Sequence, residues 1–228
     1  HDRVKHLLDL LPAVADRVAP PVLIALGPPW PVTQLAQALG PVDVTCLQFD
    51  VFAAARLREK LAQENVTAEV VVTADPRAIG AAAGVVLPGV GAFAPARQKL
   101  EETGLDRHLV EVARQGMPLL GVCLGYQLLF AGSYEDGYTE GLGLLPGPVR
   151  RLVNTPERKV PHMGWNRVRQ ARPDILFDGI ADRSYFYFVH SYYPELKAGA
   201  EVVGTCDYGR TLTVVARSGS VSGVQFHP

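Results

Sequence analysis

Cys123 is the residue of this chain best placed to do chemistry. It stands in the run Met117-Pro118-Leu119-Leu120-Gly121-Val122-Cys123-Leu124-Gly125-Tyr126-Gln127-Leu128-Leu129-Phe130, which reads as a buried strand, a tight turn and a helix. Gly121 and Gly125 flank it in a G-x-C-x-G arrangement, the thiol counterpart of the elbow that exposes a serine nucleophile, where small neighbours permit a strained turn. A sulfur at such a turn lies at a helix N-terminus, whose backbone N–H groups favour a thiolate over a free thiol of pKa about 8.5. The N–H of Leu124 would point at a developing oxyanion. The competing reading, a small buried hydrophobe, suits Cys46 and Cys206. A nucleophile needs a base, and His227 ends the last apolar segment. A histidine there is as often structural as catalytic, and the presence of Cys123 shifts that balance.

The elements that must position these groups follow from the apolar pattern. From Val22 to Val122 short apolar runs alternate with helical spacing, which predicts a mainly parallel sheet covered by helices on both faces. The predicted strands are Val22–Leu26, Val42–Phe49, Ala68–Thr73, Val85–Leu87 and Pro118–Val122. Helices are predicted at Val32–Leu39, Phe52–Gln63, Ala94–Glu102 and Leu105–Gln115, with Gly40 and Gly116 where helices stop. Beyond Phe130 the pattern becomes Gly- and Pro-punctuated strands: Val149–Leu152, Asn166–Arg169, Tyr185–His190, Val202–Cys206, Leu212–Arg217 and Val221–His227. No internal repeat or low-complexity linker interrupts the chain. The expectation is one αβα domain over residues 1–228 with a β-rich C-terminal half, residues 1–66 forming an atypical α/β segment.

Composition narrows the partners. The 228 residues are 48% hydrophobic and 20% charged, and a formal net charge of −1 favours neither nucleic acid nor an anionic membrane. No apolar stretch reaches the roughly 20 residues of a membrane-spanning helix. Apolar residues at Val4, Leu7, Leu8, Leu11 and Val14 have helical spacing, interrupted by Pro12, rather than the block of a signal peptide. Three cysteines far apart predict neither a disulfide framework nor a metal site, and a reducing, cytoplasmic setting.

The segment Gly121–Phe130 closely resembles the nucleophile segment of class I glutamine amidotransferases, whose fold is a flavodoxin-like αβα sandwich. Leu87-Pro88-Gly89-Val90-Gly91-Ala92-Phe93, Pro161-His162-Met163-Gly164-Trp165-Asn166, Tyr187-Phe188-Val189-His190-Ser191-Tyr192 and Gly223-Val224-Gln225-Phe226-His227-Pro228 resemble the glutaminase subunit of imidazole glycerol phosphate synthase. The resemblance runs from about Ala68 to the end. It implies hydrolysis of L-glutamine without a cofactor, and passage of ammonia to a cyclase subunit in a heterodimer of histidine biosynthesis. It implies that His227 takes the thiol proton and later protonates the leaving ammonia. Val90 and Gly91 would join Leu124 in the oxyanion hole. Gly89, Gln127, Glu135, Ser191 and Tyr192 would hold the substrate. A carboxylate at Glu135 suits the α-ammonium group of an amino acid, although beside Asp136 and Gly137 it otherwise reads as a solvated turn. His162, Met163, Trp165 and Asn166 would lie in a loop at the partner interface and ammonia channel, with His190 structural.

Two departures carry expectations of their own. The family's third triad member is a glutamate directly after the position of Pro228, so a chain ending there is expected to be a crippled glutaminase, since losing the equivalent acid of a serine triad can cost about 10⁴ in rate. At the N-terminus, Gly27-Pro28-Pro29-Trp30-Pro31 replaces the family's first loop, and an extra strand-helix unit spans Val42–Asn65. Residues from about Leu10 to Asp75 resemble the opening of a class I S-adenosylmethionine-dependent methyltransferase, with Asp50 at the ribose-binding position and prolines filling the cofactor loop. The alternatives are therefore a non-catalytic amidotransferase-like binding or regulatory module and a degenerate methyltransferase hybrid.

Overall fold

The computed structural model describes residues 22–25, 44–48, 69–72, 79–80, 82, 84–156, 158–196, 199 and 201–227. The helices predicted at Val32–Leu39 and Phe52–Gln63, the Gly40 stop, the helically spaced residues from Val4 to Val14, Gly27–Pro31 and Asp50 lie outside these residues.

Five strands form where the apolar runs predict them: β1 (Val22–Ala25), β2 (Val44–Gln48), β3 (Glu69–Val72), β4 (Gly84–Gly89) and β5 (Leu119–Cys123). Every residue of β5, and all of β4 but its last, is buried, as parallel strands covered on both faces must be. Between them run α1 (Phe93–Glu102) and α2 (Leu105–Arg114). Leu105, Leu109, Val112 and Ala113 share the buried face of α2, the spacing of an amphipathic helix. Gly116, with φ of 93°, follows the end of α2 in a conformation that favours glycine.

A short helix α3 (Leu124–Leu128) follows β5 directly. The second half adds β6 (Gly132–Ser133), β7 (Thr139–Glu140), β8 (Pro148–Arg151), β9 (His162–Arg167), β10 (Arg169–Gln170), β11 (Tyr185–His190), β12 (Tyr192–Pro194), β13 (Val202–Asp207), β14 (Thr211–Ser218) and β15 (Val221–Val224). The main sheet has the order β10-β13-β14-β15-β5-β4-β1-β2-β3. It is parallel from β15 through β3 and antiparallel at the β10 end.

Two predicted strands are corrected. The strand placed at Asn166–Arg169 divides into β9, which starts at His162, and β10, separated by the buried Val168. Met163 and Trp165 therefore sit on a strand and not in a loop: Gly164 takes a φ of 123° yet keeps its place in an antiparallel ladder with β11. The last strand stops at Val224 rather than His227, because the chain then leaves β5 and the N–H of His227 bonds to the carbonyl of Tyr187 on β11 at 2.9 Å.

The register collects the chemistry at one edge. β4, β5 and β15 run parallel as neighbours, with Gly89 opposite Cys123 and Val224 opposite Val122. Their carboxyl ends thus deliver Val90 and Gly91, Cys123 and Leu124, and Gln225 and His227 to the same rim, where open α/β sheets bind ligands.

The elbow itself depends on close approach. A side-chain carbon at Gly125 would land on the carbonyl oxygen of Leu87, and one at Gly121 would come within 2.7 Å of the Gly125 carbonyl. Gly125→Ala is expected to cost about 3 kcal/mol by overpacking against rigid backbone. A urea unfolding midpoint equal to that of the unsubstituted chain would contradict this.

Candidate active site

Cys123 joins β5 to α3 with φ of 54° and ψ of −108°, a conformation unusual for a residue with a side chain. Such strain persists only where surrounding structure enforces it, and it concentrates at functional positions. Here the flanking glycines and the buried strand do the enforcing. The turn leaves the sulfur at the wall of a cavity of about 410 Å³ shared with Val90, Gly91, Leu124, Gln127, Glu135, His190, Ser191, Tyr192 and His227. That volume suits a small-molecule ligand.

Burial works against a resting thiolate at Cys123. Burial pushes the Cys123 thiol up to about 12, against the smaller opposing effects of the Leu124 N–H and the Gln225 side chain. The Leu124 N–H does favour the thiolate, as the helix-end position predicts, but desolvation of the charged form outweighs it. A nucleophilic role for this sulfur therefore requires removal of its proton. Burial also lowers the pKa of His227, which leaves a neutral imidazole in the same cavity, the protonation state of a general base.

Gln127 is almost fully buried. Its Nε2 donates to the Tyr192 carbonyl and to Gln225 Oε1, each at 3.0 Å. Both of its N–H groups are thereby committed, leaving its Oε1 as the acceptor available to a ligand. Glu135 is half-buried and accepts from the N–H of Phe93 at 2.8 Å, so one carboxylate oxygen holds the start of α1 and the other remains. Ser191, between β11 and β12, and Tyr192, the first residue of β12, also line the cavity. Gly89 is absent from the cavity wall; a side chain there would meet Leu124 and Gly125 at 2.9 Å, so its small size serves the elbow.

The Pro161–Asn166 segment divides by strand alternation. Met163 and Trp165 face outward at 61% and 42% exposure, opposite Val189 and Tyr187 of β11. His162 faces inward and is 2% exposed. It stacks between Phe188 and Tyr208 and bonds through Nδ1 to His190 Nε2 at 3.0 Å. His190 Nδ1 lies 2.8 Å from the Tyr192 carbonyl. A carbonyl only accepts, so His190 Nδ1 carries a hydrogen and its Nε2 accepts from His162. The amide of Asn166 bonds to His162 Nε2 at 3.3 Å and to the Asp207 carbonyl at 2.8 Å. The sequence reading missed two features here: the inward His162–His190 pair and the donation from Gln225 to Cys123. The alternation of β9 and the fully buried Gln225 were the available signals.

That histidine pair predicts acid sensitivity. Burial lowers His162 from 6.5 to about 4, and burial, reinforced by charges on His162 and His227, lowers His190 to about 3 despite its bond to the Tyr192 carbonyl. As pH falls, the unfolded chain takes up these protons first, so the stability is complete above 6.5 and is lost between 6.5 and the folded values. Urea unfolding from pH 7 to 4 should show a shallower loss in His162→Gln; an identical slope would contradict the assignment.

An elbow cysteine, a neutral histidine just beyond the end of the adjacent parallel strand and a single carboxylate around a small-molecule cavity define the site of a class I glutamine amidotransferase. The chain belongs to that class: the family model described as glutamine amidotransferase class-I matches residues 49–228. Within the class it is similar to the imidazole glycerol phosphate synthase subunit HisH. It is 54% identical over 157 residues to that subunit from Moorella thermoacetica, spanning 69% of this chain and 74% of the relative. It is 44% identical over 180 residues to the one from Streptococcus gordonii, spanning 79% and 85%. In fold it is similar to a glutamine amidotransferase crystal structure at TM-score 0.55 and 21% identity, covering 81% of this chain and 89% of the other. Another, from Thermotoga maritima, gives 0.53 at 18% identity over 90% and 75%. The family match includes residues 49–75, part of the segment that resembles a methyltransferase opening. No helix among the described residues is long and apolar enough to cross a membrane.

Proposed function

We propose that the chain is the glutaminase subunit of imidazole glycerol phosphate synthase, hydrolysing L-glutamine to glutamate and delivering ammonia to a cyclase subunit in a heterodimer. The observation that carries this reading is the strained Cys123 sharing one cavity with His227, Gln127 and Glu135. His227 takes the thiol proton as the sulfur attacks the carboxamide carbon. The C=O electrons move to an oxyanion beside the N–H of Leu124. Collapse breaks the C–N bond while His227 returns the proton, and ammonia leaves. Water then adds to the thioester with His227 again as base, which releases glutamate and restores the thiol. Glu135 pairs the substrate's α-ammonium group, and the Oε1 of Gln127 accepts one of its N–H groups.

The cyclase docks on the outward face of the β9–β11 ladder. Met163, Trp165, Tyr185 and Val189 are all more than a third exposed there, on one side of a two-stranded sheet. An apolar cluster of this kind marks an interaction surface, and its apolar lining suits passage of neutral ammonia.

Glutamate release from L-glutamine, measured on the protein alone and with the cyclase and its ligand, tests the reading. Release that rises on docking is expected. No release in either condition would overturn it in favour of a non-catalytic binding module.

A further inference from the structure

We propose that Gln225 is a positioning residue for the nucleophile, its carboxamide held so that it can only donate, and not accept, at the Cys123 sulfur. The inference rests on the reading of Cys123 as a glutaminase nucleophile and adds a group outside the cysteine–histidine pair.

Gln225 has no exposed surface. It directly follows β15 and is not among the residues that line the ligand cavity. Its Nε2 lies 3.8 Å from Cys123 Sγ, within reach for a hydrogen bond to sulfur. A carboxamide could in principle present its oxygen instead, and the surrounding network excludes that. The Tyr192 carbonyl accepts from Gln127, which fixes the nitrogen end of Gln127 inward. The same nitrogen faces Gln225 at 3.0 Å, so Gln225 must offer Oε1 there. Only its Nε2 remains for the sulfur. His190, bonded to the same Tyr192 carbonyl, holds that anchor in place.

A donor at this position discriminates between the two states of the sulfur. A neutral thiol is a weak acceptor, whereas a thiolate accepts a charge-assisted bond roughly twice as strong as a neutral one. Gln225 therefore favours the ionised sulfur that attacks over the resting thiol. Burial opposes ionisation in this pocket, so removing the donor leaves the cost of desolvation less relieved.

The test is the pH dependence of Cys123 alkylation by iodoacetamide, followed by peptide mapping, with the buried Cys206 as internal control. Gln225→Glu preserves an acceptor for Gln127 but turns a carboxylate oxygen toward the sulfur; Gln225→Met removes the donor without adding charge. In both, the reactivity of Cys123 should move to higher pH, further in Gln225→Glu. At pH ~8 its alkylation should slow by about tenfold or more, while Cys206 is unaffected. Unchanged Cys123 profiles in folded variants would overturn the proposal. Should neither variant fold, Gln127→Met, which frees the carboxamide to rotate while keeping Gln225, carries the same expectation and the same refutation. Labelling of the unsubstituted chain by 6-diazo-5-oxo-L-norleucine separates the two levels. Failure to label Cys123 counts against the glutaminase reading, whereas labelling with unaltered variant profiles counts against Gln225 alone.

Discussion

Replacing Cys123 with serine is expected to lower glutamine hydrolysis by about 10⁴-fold or more, the scale on which removal of a nucleophile acts when it works as a unit with its base. The substitution is small, and the elbow that forces φ to 54° is built by Gly121, Gly125 and β5, so the backbone should survive. What is lost is the sulfur. Even with the thiol held up near 12, its proton is easier to remove than that of an alcohol, and the thiolate is the stronger nucleophile. The assay is glutamate production with the cyclase and its ligand present, beside an unfolding curve showing a native fold. A serine variant within tenfold of the parent would mean that the reaction does not pass through this residue.

His227→Asn is expected to cost about 10³-fold or more, because general-base removal forces proton loss from a thiol that burial keeps neutral. The side chain can be removed without unpinning this segment, since the bond to β11 runs from the backbone N–H of His227 to Tyr187. A pH profile distinguishes the chemical role from a structural one. Burial lowers the imidazole below 6.5, so the base stays unprotonated at neutral pH and the acidic limb of the parent's rate should fall only below that value. In the variant that limb should vanish, with the residual rate rising toward alkaline pH. Loss of activity with the acidic limb intact would assign the titration to another group.

Much of this architecture is legible in the residues. Strands β1 to β5 coincide with short apolar runs, β4 and β5 because parallel strands of this kind are buried on both faces, and the glycines around Cys123 mark a backbone crossing too close for side chains. Tertiary facts are less legible. The state of the Cys123 thiol depends on desolvation by elements distant in sequence, which no local motif encodes. His162 lies in the same short segment as Met163 and Trp165, and only the strand alternation of β9 separates an inward histidine from outward apolar groups. Gly164 obscured that strand by placing a residue with positive φ within it. Gln225 sits beside a histidine that draws attention, and its donation to the sulfur emerges only when Gln127 and Tyr192 are in place to orient it.

The same terminal segment links the site to the outer surface. His227 bonds to Tyr187, whose ring meets Trp165 edge-on with centroids 5.6 Å apart. The proposed base and the exposed apolar face therefore meet at Tyr187, where an isolated bridge ties His227 to the β9–β11 ladder.

The most direct measurement is incubation of the protein, with cyclase and ligand, with 6-diazo-5-oxo-L-norleucine followed by peptide mapping. A single covalent adduct on Cys123 is expected, suppressed by L-glutamine and strongly slowed in His227→Asn. An adduct elsewhere, or none at Cys123 in a folded complex, would contradict it.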